Sequence, residues 1–162
     1  MLTGNLPEFL KNRTCSFTGH RELGESFDRE NLKEKIRQII KKGYDVFLNG
    51  MAIGFDSECM EALLALKDEG EDIKICAVVP CADQPKNFSA EFKERYDYFL
   101  SRADYIVKDD RTYFKNCMLL RNNFLVDNSS LLLAYYDGRK KGGTYYTVNR
   151  AKKKGIDIDY LE

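Results

Sequence analysis

At 162 residues, with 26 basic and 26 acidic side chains that cancel, the chain has the size of one domain and no net charge to draw it to nucleic acid or a membrane. Hydrophobic and aromatic shares of 43% and 12% exclude a disordered chain. No run of about 18 apolar residues is present and Met1 to Leu10 lacks the apolar core of a secretion signal, so a cytoplasmic protein with no membrane partner is expected.

In chain order, residues 13–18 read as a short strand ending at Gly19. A helix follows from about Phe27 to Lys42, with Leu32, Ile36, Ile39 and Ile40 on one face, Ser26 as its cap and Lys41-Lys42-Gly43 at its negative end. Tyr44 to Leu48 is a second strand and Asp56 to about Glu69 a second helix. Ile73 to Val79 is nearly all apolar, as a strand buried on both faces of a parallel sheet must be, and Pro80 stops it. A loop over 81–88 leads to a helix from Ser89 to Arg102, in which Tyr96 and Tyr98 are expected to pack, and to a short strand at Tyr105-Ile106-Val107. A fourth helix spans roughly Phe114 to Asp127, Leu131 to Tyr135 is a buried strand, and a last helix, about Gly143 to Lys154, precedes a strand at Ile156 to Tyr160. Strands alternating with helices predict one α/β domain over 1–162: a doubly wound, Rossmann-like, mostly parallel sheet in three layers.

Three strand-to-helix turns carry glycine: Thr18-Gly19-His20-Arg21, Asn49 to Asp56 with Gly50, Met51 and Gly54, and Lys141-Gly142-Gly143-Thr144. On one parallel sheet all three open at its carboxyl edge, where backbone N–H groups and positive helix ends converge on an anion. His20 and Arg21 add donors and charge. Asp56 stands where it can cap the second helix or accept hydrogen bonds from a ribose. Arg121 and Asn122, about 100° apart on a helix, are read as one residue reaching a ligand and the other anchoring a loop, against the alternative of an Arg-Asp pair with Asp127. Arg111 is a loop cation that could overhang the site. Seven basic residues from Arg139 to Lys154, with no acidic one between, are read as phosphate attraction at one end and a solvated helix end at the other.

Other chemistries lack their residues. Neither Gly-x-Gly-x-x-Gly nor Gly-x-x-x-x-Gly-Lys-Ser/Thr occurs, which disfavours dinucleotide dehydrogenases and P-loop ATPases. His20 is the only histidine, and Cys15, Cys59, Cys76, Cys81 and Cys117 contain no Cys-x-x-Cys pair. Reduced, structural cysteines are expected, with no metal and no cofactor.

Cys15 to Arg21, Asn49 to Asp56, Arg121-Asn122, and Asp137-Gly138 with Gly142-Gly143-Thr144 and Thr147 together resemble the SLOG superfamily of Rossmann-like domains, and are most similar to its YpsA-like branch. The resemblance covers about residues 12 to 160. It implies recognition of a nucleotide or nucleotide-derived ligand, in a sensor role. The superfamily includes the DNA-processing protein DprA, whose domain handles single-stranded DNA, and LOG-type phosphoribohydrolases, which cleave nucleoside monophosphates. The LOG motif Pro-Gly-Gly-x-Gly-Thr-x-x-Glu has lost its proline and glutamate at Lys141 to Val148, which counts against LOG-type hydrolysis. Asp56 and Asp137 are the candidate carboxylates for an N-glycosidase alternative. Single-stranded DNA binding is the less favoured third reading. Homodimers are common among such domains.

Overall fold

The computed structural model describes residues 1–4 and 11–162. Six strands form one sheet: β1 (Thr14–Gly19), β2 (Val46–Asn49), β3 (Lys74–Val79), β4 (Tyr105–Lys108), β5 (Leu131–Tyr135) and β6 (Asp157–Tyr160), in the order β4-β3-β2-β1-β5-β6. Every named pair is parallel, with Cys15 beside both Phe47 and Leu131 at the centre. A lone antiparallel bridge between Thr3 and Lys108 lies at the β4 edge. The helices are α1 (Arg29–Lys41), α2 (Phe55–Asp68), α3 (Ala90–Arg102), α4 (Cys117–Asp127) and α5 (Gly143–Lys154).

Alternation along the strands divides the core in two, because successive side chains leave a strand on opposite faces. Cys15, Phe17, Phe47, Ile75 and Leu133 pack with Leu32, Ile36 and Ile39 of α1, with Leu63 and Leu66 of α2, and with Tyr96 and Phe99 of α3. On the opposite face Leu48, Cys76 and Val107 meet Leu125 of α4, while Leu132 and Ala134 meet Val126, Val148 and Ala151. The result is the expected three layers. All five cysteines are buried and free. Among the described residues no helix is long and apolar enough to cross a membrane.

Several boundaries shift for local reasons. Asp28, not Ser26, caps α1: its Oδ1 accepts from the N–H groups of Glu30 and Asn31 at 2.9 and 3.3 Å. Phe27 is held in the preceding turn by its N–H to Gly24 O, 3.0 Å. The fourth helix begins at Cys117 rather than Phe114, since Asn116 adopts a left-handed φ of 69°. Tyr98 is half exposed, whereas Tyr96 is buried.

The strand order makes β1 and β5 neighbours that lead in opposite directions: the chain winds from β1 to β4 on one side and from β5 to β6 on the other. Open α/β sheets have their crevice at this switch point, outside the carboxyl ends of the two strands.

Candidate functional site

A cavity of about 550 Å³ occupies that crevice. Its walls are the β1 exit (Thr18, Gly19, His20, Arg21, Glu22), Ala52 and Asp56 from the β2–α2 turn, one face of α4, and the start of α5 from Lys141 to Thr144, with Arg139 nearby. Nine of the twelve candidate ligand residues line it: Gly19, His20, Arg21, Asp56, Arg121, Asn122, Gly142, Gly143 and Thr144. Gly50, Met51 and Gly54 lie behind the wall and shape it.

The turn before α2 is closed on itself. Buried Asn49 accepts from Met51 N–H at 2.8 Å and donates to Asp56 O at 2.9 Å. Met51 has a left-handed φ of 61° and is buried. Gly54, not Asp56, is the N-cap, and the Ser57 hydroxyl bonds both the Gly54 N–H (3.2 Å) and its carbonyl (2.7 Å). Phe55 N–H reaches His20 O at 3.2 Å, and Ala52 N–H reaches Asp56 Oδ2 at 3.2 Å. These N–H groups are consumed inside the protein, so this turn supplies a scaffold and a carboxylate rather than a phosphate nest.

The Asp56 carboxylate is the product of that scaffold. The residue is only 8% exposed and faces the cavity. Burial pushes its pKa up from 3.8 to about 6, against the opposing pull of the Arg121 charge, the Ala52 N–H and Arg21. Its Oδ1 has no hydrogen-bond partner among the described residues.

Arg121 is buried, and burial lowers its pKa. It donates to Gly50 O and, through Nε, to Asn122 Oδ1 at 2.8 Å. It therefore lines the cavity and anchors the β2–α2 turn together. Asn122 lines the cavity as well, correcting the expectation that the two residues divide these tasks; neighbours on a helix both reach a wide crevice. Asp127 pairs with Arg150 at 2.8 Å instead.

The start of α5 is open. Gly142, at φ 94°, is its N-cap and no side chain caps it. The first bond of the helix runs from Tyr146 N–H to Gly142 O, 3.1 Å. The N–H groups of Gly143, Thr144 and Tyr145 are left for water or a ligand, at the positive end of the helix. Lys141 and Arg21 supply exposed cations beside it.

Asp137 lies outside the cavity lining. Its carboxylate is chelated by Arg139 at 2.6 to 3.1 Å, which holds its pKa well below the usual carboxylate range, with a smaller contribution from His20. His20 Nε2 stands 3.2 Å from both the Asp137 N–H and its Oδ1, and the ring rests near Tyr135 and Tyr136. Arg111 is not over the site: it chelates Asp109 and stacks on Phe114 at 3.9 Å.

Sequence reasoning passed over Met118 and Leu125, which complete a lining face at i, i+3, i+4 and i+7 with Arg121 and Asn122. It also passed over Gln84, whose Nε2 donates to the carbonyls of Gly50 and Met51 at 3.1 and 3.2 Å while Tyr96 donates to its Oε1 at 2.8 Å. The i+3/i+4 spacing from Met118 was readable; the long-range reach of Gln84 was not.

A six-stranded parallel sheet with a polar crevice at the switch point defines a Rossmann-like fold. The sequence profile described as the YspA SLOG family matches residues 20–161, and the chain belongs to that family. An UPF0398 protein of Bacillus cereus strain G9842 is 27% identical over 134 residues, 82% of this chain and 73% of the relative. DNA processing protein A (DprA) of Streptococcus pneumoniae superposes with a TM-score of 0.69 at 18% identity over 93% of this chain, which spans only 50% of that protein. DprA of Helicobacter pylori, described for its single-stranded DNA binding mode, gives 0.69 at 17% identity over 93% of this chain and 65% of its own. At these identities the structural matches speak for the fold.

Proposed function

We propose that the chain binds a nucleotide or nucleotide-derived ligand in the switch-point crevice, with its phosphate on the start of α5 and a sugar hydroxyl on Asp56. One observation carries this reading: an uncapped helix start and a buried carboxylate with a free oxygen face the same cavity. The helix end suits an anion, and the carboxylate suits a hydroxyl donor. A cavity of about 550 Å³ also lies within the usual size of small-ligand sites. Lys141 and Arg21 add attraction without fixing geometry.

The test is calorimetric titration and thermal shift with nucleoside mono- and diphosphates, ADP-ribose-like compounds and short single-stranded DNA. A ligand at about 100 times its Kd stabilises the fold by roughly 2.7 kcal/mol. A nucleotide response that Arg21→Ala weakens supports the reading. A response to DNA alone replaces it with the single-strand binding for which the H. pylori DprA structure is described.

A second reading rests on Asp56 alone. A carboxylate held near pH 6 beside a sugar site can stabilise the positive charge that develops when an N-glycosidic bond breaks. Release of free base from a nucleoside monophosphate, abolished by Asp56→Asn in a variant that still folds cooperatively, establishes this N-glycosidase activity. Binding without turnover removes it.

A further inference from the structure

A second cavity, of about 360 Å³, adjoins the first and shares Arg21, Ala52, Met118 and Arg121 with it. Its remaining wall is different in kind. Ile53, Phe88 and Tyr113 give it flat apolar sides, and Asp83 and Asn87 give it polar edges. The first cavity holds the open helix end and the buried carboxylate; the second has neither.

Its walls are fixed by contacts outside the cavity. Phe88 packs edge-on to Phe92 and Tyr96, with ring centroids 5.2 and 5.7 Å away. Tyr113 has its N–H on Asp83 Oδ1 at 2.7 Å, while its side chain is 64% exposed. Gln84 is fully committed to the Gly50 and Met51 carbonyls and to Tyr96, so it braces the partition between the cavities. Asp83 is held by the Tyr113 N–H and the Cys81 thiol, while the exposed Asn87 amide has no hydrogen-bond partner among the described residues and is available to the rim. Aromatic faces with a few edge donors and acceptors suit a planar heterocycle, which stacks on the former and is read by the latter.

We infer that the second cavity is the base subsite of a nucleoside monophosphate whose phosphate lies on α5 and whose ribose crosses at Asp56. The inference rests on the crevice binding proposed above and adds where the base goes. The ligand class is thereby narrowed from nucleotides and nucleotide-derived compounds at large to nucleoside monophosphates whose base is held in the second cavity.

Titrating the intact protein with AMP, GMP, CMP and UMP, and in parallel with ribose 5-phosphate, tests it. The expected result is that at least one nucleotide binds roughly tenfold or more tightly than ribose 5-phosphate, given the usual contribution of base stacking. Tyr113→Ala, at an exposed position that leaves the core intact, then narrows that preference at least about fivefold while ribose 5-phosphate affinity holds. Asn87→Ala is the second variant, expected to change the ranking among the four bases. Equal affinity for ribose 5-phosphate and all four nucleotides overturns the base subsite and leaves the crevice reading intact. A nucleotide preference that survives both variants unchanged places the base elsewhere and also overturns it. Failure of every phosphorylated compound to bind overturns the crevice reading itself.

Discussion

The two helices that start at the sheet's carboxyl edge beside the crevice, α2 and α5, begin on glycines with almost the same backbone angle, φ 95° at Gly54 and 94° at Gly142. Their surroundings are opposite. At Gly54 a side chain would meet Arg21 O at 2.3 Å, and the N–H groups of Phe55, Gly54 and Ala52 are spent on His20, Ser57 and Asp56. At Gly142 nothing lies within 4 Å and the helix end is uncapped. The first turn is part of the core's framework, and the second is left for a ligand. A glycine turn before a helix is thus not by itself an anion site; what decides is whether the protein has already used the N–H groups.

The largest expected effect separates the two glycines directly. Gly54→Ala adds backbone strain and a main-chain clash and should destabilise by about 4 kcal/mol. Gly142→Ala, with a similar φ but open space, carries backbone strain without the clash and should cost only about 2 kcal/mol. Urea denaturation of both variants measures the gap, and equal costs would show that the Arg21 segment yields freely.

Removing the cation that braces the closed turn comes next. Arg121→Met takes a donor from Gly50 O and the nearest counter-charge from buried Asp56, and should cost about 3 kcal/mol. Because the Arg121 charge lowers the Asp56 pKa, its loss should raise that pKa further above about 6. The shift is readable by NMR titration of the carboxyl carbon.

Asp56 makes the closed turn pH-dependent on its own. Its folded pKa of about 6 exceeds its ordinary 3.8, so between these values the folded state holds more protons than the unfolded. Stability from this group is fully present below about pH 4 and is lost as pH rises through about 6, a fall on the order of 2 to 3 kcal/mol. Asp56→Asn should flatten this window, leaving the variant more stable than the parent at pH 7. Denaturation midpoints from pH 4 to 8 decide it, and identical profiles would show that Asp56 is well solvated.

This contrast explains how much was legible in advance. Period and punctuation gave the alternating elements, since Ile73 to Val79 or the Leu32-Ile36-Ile39 face can be buried in only one way. The gathering of Gly19, Arg21, Arg121 and Gly143 at one edge followed from parallel topology. Hidden from the sequence were the side chains that close α2: Asn49, Ser57 and Gln84 act through bonds whose partners depend on three-dimensional turns, and Gln84 reaches its carbonyls across 33 and 34 positions of chain. Asp56 was visible as a residue, but its burial was not, because helix propensity places Asp equally well in a solvated cap.

The smallest effect bears on the open turn and uses the two ends of one helix. Lys141 stands at the start of α5 on the crevice, and Lys152 on its last turn, both exposed. Neither substitution to Ala should move stability by more than about 0.5 kcal/mol. Nucleotide affinity should separate them: Lys141→Ala should weaken it up to about fivefold in low salt, and the difference should shrink toward 0.5 M salt as screening shortens. Lys152→Ala should leave it unchanged, since a cation there complements the opposite pole of the helix. Equal losses from both would mean that the ligand responds to the overall basic charge of the Arg139 to Lys154 segment, and the open helix start would lose its special role. A loss confined to Lys141 and graded by salt ties the anion to the open start of α5.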